Sequence, residues 1–115
     1  MAVHALKVTP DGTTERLQFA SMIHSDLCAE IGCRYIDAVR LTDRIDMWID
    51  DEGMNLLDPE PNRPATEIAK RFGYMCQDYY GVVVFTGSAD EEGFTQSLDA
   101  ETAEMIESIV REGVR

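Results

Sequence analysis

The stretch Ile45 to Asp50 reads IDMWID, and its strict alternation constrains the fold more than any other feature of the chain. Successive side chains of a strand point to opposite faces, so Ile45, Met47 and Ile49 share one face and Asp46, Trp48 and Asp50 the other. A half-buried strand of this kind needs partners. Tyr35 to Leu41 is strand-like and joins it through Thr42-Asp43-Arg44, a connection short enough for a hairpin. Val3 to Thr9 and Thr13 to Gln18 form a second pair around Pro10-Asp11-Gly12, where proline presets φ and glycine accepts positive φ. Val82 to Phe85 is a continuous apolar run and reads as a buried strand.

The intervening segments change period. Phe19, Met22, Ile23, Leu27 and Ile31 fall at helical spacing, and Gly32 suits the left-handed position that ends a helix. Ala65, Ile68, Ala69 and Phe72 form a second stripe after the proline-rich loop Asp58 to Pro64. Asp99 to Gly113 closes the chain as a helix, with Asp99 as N-cap, Glu101 and Glu104 at the positive end of the dipole, and Ile106, Ile109 and Val110 as its apolar stripe. Phe94 to Gln96 reads as a short return strand. The order is ββαββαβα, an α+β fold with a largely antiparallel sheet and about three helices packed on one face. At 115 residues, 44% of them apolar, residues 1–115 read as one domain able to bury a core.

Charge decides which functions are open. Asp and Glu number 22 against ten Lys and Arg, a net charge of −12. Direct nucleic-acid binding needs a basic footprint, which is lacking, and an anionic membrane is disfavoured for the same reason. No apolar run is long enough to span a bilayer, and MAVHALKVTPDGTT lacks the pattern of a secretory signal. Three cysteines do not make a disulfide scaffold, and the expected setting is cytoplasmic. Acidity alone serves solubility, but it also suits a basic partner.

The acids concentrate between Asp43 and Asn62, where seven stand against Arg44 alone. Asp46, Trp48, Asp50, Asp51 and Glu52 are the candidate partner-binding residues, because an aromatic among acids can hold an Arg or Lys by cation–π contact and charge. The opposing expectation for Trp48 is burial, under a helix or against Tyr35 and Tyr80. Metal and cofactor sites are not expected. With Gly53 at the sixth position of a calcium loop, Trp48 would be its first ligand. With Gly93 there, the bidentate Glu at the twelfth position is missing. His24 and Cys28 lie one helical turn apart with Cys33 beyond, but a structural zinc site needs a fourth ligand, Cys76 or His4. The simpler reading of Cys28 is a small buried hydrophobe. No nucleophile elbow or phosphate-binding loop is present, so no catalytic residue is expected.

The run GCRYIDAVRL, the short turn and DMWIDDEG resemble a small bacterial and phage family, domain of unknown function 3846. The opening VTPDGT, the helix start at Asn62–Ala65, the glycine-bounded strand GVVVFTG, the acids Asp90 and Glu91 with Gly93, and Leu98-Asp99 extend the likeness over most of the chain. Arg44 stands where the family's turn has glycine, so a longer or different hairpin is expected there. Tyr74 to Tyr80 is bulkier than the family's connection. The resemblance brings no catalytic residues. It implies a cytoplasmic protein often carried by phages and mobile elements, and so a small accessory or counter-defence factor.

The functional expectation is a non-enzymatic binding protein that engages a basic host protein, DNA-binding proteins included, through an acidic surface, in the limit imitating DNA. One alternative is a small-molecule or metal-binding domain built on Tyr35, Trp48, Tyr74, Tyr79 and Tyr80. Another is a subunit of a larger assembly, with Met54, Leu56 and Leu57 covered by a partner.

Overall fold

A computed structural model describes residues 2–20, 24–52, 59–75 and 77–113. The strands are β1 (Val3–Val8), β2 (Thr14–Phe19), β3 (Ile36–Thr42), β4 (Ile45–Asp50) and β5 (Val83–Thr86). The helices are α1 (His24–Ile31), α2 (Arg63–Arg71) and α3 (Ala100–Gly113). The order along the chain is ββαββαβα, as the sequence periods require. All pairings are antiparallel, in the spatial order β2-β1-β5-β4-β3.

That order corrects one expectation: the helices occupy both faces. β2 and β3 are opposite edges of the sheet, so the chain between them must traverse its whole width. It does so over one face, carrying α1. Leu27 and Ile31 of α1 cover Ala5, Trp48 and Val84, with Leu17, Phe19 and Ile36 around them. The other face carries α2 and α3. There Ala65, Ile68, Ile106 and Val110 bury Leu6, Val8, Met47, Val83 and Phe85. Ile45 and Met47 thus serve one core and Trp48 the other, as alternation demands.

Phe19 belongs to β2 and not to the first helix. It shares its face with Leu17, two positions back, and strand spacing takes precedence there over helical spacing. The expected helical residues Met22 and Ile23 lie outside the described residues. The Asp43-Arg44 connection has two residues, since Thr42 pairs with Ile45. Neither residue has positive φ, which excludes the primed hairpin turns. A register shift between Arg40 and Thr42 absorbs the mismatch in twist, and Arg44 N–H bonds to Thr42 Oγ1 at 3.0 Å. Phe94 to Gln96 forms no strand; an isolated bridge joins Ala89 to Thr95.

Asn62 fastens three elements together. It is fully buried. Its Nδ2 donates to Val8 O at 3.0 Å and Gly81 O at 2.8 Å, and its Oδ1 accepts from Ala65 N–H at 3.0 Å as the N-cap of α2. Pro64 follows inside the first turn, where its missing N–H costs nothing.

Candidate acidic cleft

The free ends of β3 and β4 face the segment 77–80 across a cleft of about 250 Å³. Asp37, Ile49, Asp50 and Asp51 form the sheet side, and Gln77, Asp78, Tyr79 and Tyr80 the other. Backbone bonds fix both walls. Asp51 N–H donates to Tyr35 O at 3.0 Å, and Asp50 Oδ1 accepts from Glu52 N–H at 2.9 Å. Opposite, Asn62 N–H donates to Tyr79 O at 2.8 Å, Gly81 N–H to Glu60 O at 2.8 Å, and Tyr79 N–H to Thr66 Oγ1 at 2.9 Å. Tyr80 also bridges Pro61. The buried N-cap of α2 thereby sets the position of the far wall.

Among the described residues four carboxylates line this cleft, and no cation does. The cations that pair within the described residues are Lys7, Arg16, Arg34 and Arg40. Their partners are Glu15, Glu30, Glu107, Glu52 and Asp46. Asp37, Asp50, Asp51 and Asp78 take no part in these pairs.

The five residues singled out by sequence separate into two groups. Asp46 and Trp48 are buried, which removes them as surface contacts. Asp46 accepts from Ser88 Oγ at 3.0 Å and lies 3.7 Å from Arg40 Nε. Trp48 lies beneath α1, donates its Nε1–H to Thr86 Oγ1 at 2.9 Å, and meets the His24 ring at 5.5 Å between centroids. Its anchor reading is therefore corrected in favour of burial under a helix. Asp50 and Asp51 line the cleft, and Glu52 stands beside it, 3.4 Å from Arg34. Sequence missed Asp37 and Asp78, and it named Tyr79 and Tyr80 only for the small-molecule reading or as cover for Trp48. The pairing of Asp37 with Ile49 follows from the hairpin register, but no local pattern marks Asp78.

The aromatic set of the small-molecule reading is dispersed. Trp48 is in the α1 core, Tyr79 in the α2–α3 core, Tyr35 is exposed, and Tyr74 donates its hydroxyl to Arg40 O. That last bond also blunts the β3 edge, as does the bond from Ala38 N–H to Asp37 Oδ1 at 2.9 Å, so strand addition there is obstructed. Met54, Leu56 and Leu57 lie outside the described residues. A second, mixed-charge cleft of about 530 Å³ lies on the other side of Asp78, between Arg63, Glu67 and Lys70 of α2 and Gly113.

Among the described residues no three His, Cys, Asp or Glu side chains converge as metal ligands. The loop after β5 uses its own acid internally. Asp90 Oδ1 accepts from the N–H groups of Glu92 and Phe94, both at 2.9 Å, and Oδ2 from Gln96 Nε2 at 3.1 Å. Cys33 N–H bonds to Cys28 O at 3.1 Å, which brings the two cysteines near one another, whereas His24 turns to Trp48. Among the described residues no helix is long and apolar enough to cross a membrane.

Fold and cleft together define a small antiparallel α+β protein with an acidic recess at one end of its sheet. The chain belongs to the family described as domain of unknown function (DUF3846), which matches residues 3–111. Comparison with curated proteins finds no match, and comparison with solved structures finds none.

Proposed function

We propose that this protein is a non-enzymatic binding protein that receives a basic segment of another protein at the cleft between Asp37, Asp50, Asp51 and Asp78. The observation that carries this reading is the gathering of four carboxylates around one recess with no cation among the described residues that line it. Like charges held together raise the electrostatic energy of the free protein. An Arg or Lys side chain entering the recess relieves that energy and gains attraction from each carboxylate. At separations of ~4–6 Å in a water-like dielectric each pair contributes roughly 0.7–1 kcal/mol. Tyr80 on the rim offers a ring for the guanidinium face. A DNA-binding protein fits the partner class, since it carries basic surface that an acidic protein can occupy in place of phosphates. The role is that of a phage or mobile-element accessory factor acting on such a host protein.

Capture from host extract at low and high salt tests the reading. The wild type runs beside Asp50→Asn/Asp51→Asn/Glu52→Gln and beside Asp37→Asn/Asp78→Asn. The expected result is one basic protein retained by the wild type, released by salt and lost with both variants. Retention that withstands salt and both sets of neutralisations contradicts it.

A further inference from the structure

We propose that Cys28 and Cys33 form a redox-active dithiol, which a small-molecule disulfide of the glutathione type oxidises to an intramolecular disulfide across the C-terminus of α1. The site stands apart from the acidic cleft reading and does not rest on it.

Local geometry brings the two thiols together. α1 ends at Ile31, and Gly32 takes the left-handed conformation, φ 79°. The N–H groups of Gly32 and Cys33 both donate to Cys28 O, at 2.8 and 3.1 Å. The second of these bonds is the six-to-one closure of a Schellman cap, in which the flanking side chains characteristically touch. Cysteines occupy both of those positions. The Cys28 thiol donates to Arg34 O, one residue past Cys33, at 3.8 Å, and the two thiols lie close enough to influence one another. Both residues are free and only half-buried, so a small oxidant can reach them. A core role alone would not require paired thiols with partial access to solvent.

The two sulfurs have different parts. Burial and the neighbouring Cys28 thiol push the Cys33 thiol up to about 12, and the Asp50 carboxylate adds to the effect. Cys33 also packs against the α1 core, whereas Cys28 does not, so Cys28 is assigned the first attack. In the first step the Cys28 thiolate attacks one sulfur of the oxidant, RSSR. A mixed disulfide forms and one RS⁻ leaves, taking up the proton that Cys28 lost. In the second step Cys33 gives up its proton and attacks the Cys28 sulfur of the mixed disulfide, expelling the second RS⁻. Two thiols have been oxidised by two electrons and one RSSR reduced to two RSH. Once Cys28 is in the mixed disulfide its own negative charge is gone, which removes one of the causes that keep Cys33 protonated.

The test uses the full chain carrying Cys76→Ser, equilibrated in glutathione buffers of rising oxidised fraction, quenched with an alkylating agent and weighed by mass spectrometry. The expected product has lost two hydrogens and carries no glutathione. With Cys33→Ser added, one glutathione is expected on Cys28. With Cys28→Ser added, alkylation of Cys33 at mildly alkaline pH is expected to be roughly tenfold or more slower than that of Cys28 in the Cys33→Ser protein. Circular dichroism confirms that each variant is folded. A parent that gains two glutathiones, or that keeps both thiols in fully oxidising buffer, overturns the proposal. Equal alkylation rates overturn the assignment of the attacking sulfur.

Discussion

Replacing Asn62 with Ala is expected to cost far more than the loss of an ordinary helix cap. The side chain makes three hydrogen bonds in a fully buried position, to Val8 O, Gly81 O and Ala65 N–H. Loss of the cap bond accounts for about 1 kcal/mol. The buried Val8 carbonyl and the partly buried Gly81 carbonyl each lose a donor, adding about 1 kcal/mol apiece. The sum, about 3 kcal/mol, corresponds to a melting temperature lower by about 12 °C for a chain of this size. Urea unfolding followed by the fluorescence of Trp48 measures it directly, because the chain's one tryptophan is buried in the α1 core. Asn62→Asp separates the contributions. It keeps the capping oxygen but sets a carboxylate against Val8 O and Gly81 O. Burial and those two carbonyls raise its folded pKa above the unfolded value of about 3.9. The native state then holds the proton more tightly than the unfolded state. The deficit relative to wild type is therefore full above the folded pKa and shrinks as pH falls towards 3.9. An Asn62→Ala protein within about 1 kcal/mol of wild type, or an Asn62→Asp deficit independent of pH, would refute this account of the residue.

Three further outcomes are expected. Gly87→Ala places a Cβ 2.4 Å from Ser97 O, a backbone atom that cannot swing aside, so a loss of about 1–3 kcal/mol should appear in the same urea assay. Glu107 receives a two-pronged bond from Arg16 that holds its carboxyl below the ordinary value of 4.5, tying β2 to α3. Its contribution is present above that value and lost as pH falls through the lowered one, so Glu107→Gln should melt slightly lower at neutral pH and lose less stability than wild type below pH 4.5. Trp48→Phe removes the donor to Thr86 and should destabilise by about 1–2 kcal/mol, while leaving partner capture by the folded protein intact, since the ring lies under α1.

Much of the architecture is legible because it is local. The IDMWID alternation assigns each side chain of β4 to its face, and Asp99 performs the expected cap, accepting from Thr102 N–H at 2.7 Å. What the periods do not carry is the spatial order of the strands. Placing β2 and β3 at opposite edges sends α1 across the second face, and that alone turns Trp48 from a candidate contact into a core residue. The cleft was half visible. Asp50 and Asp51 stand in an obvious acidic run, but Asp37 reaches them through the hairpin register and Asp78 through the buried contacts of Asn62 and the bridge from Pro61 to Tyr80. An aspartate drawn in by long-range packing has no local sequence pattern to announce it.

The central claim is that the negative charge is focused for recognition at one recess. Titration of isotopically labelled protein with a hexa-arginine peptide at low salt, followed by amide chemical shifts, tests it most directly. The account predicts saturable shifts centred on Asp37, Asp50, Asp51, Asp78 and Tyr80, reduced by salt and abolished by Asp37→Asn/Asp78→Asn. Weak shifts spread evenly over Glu91, Glu92, Glu101 and the other exposed acids would contradict it and leave the charge as a matter of solubility.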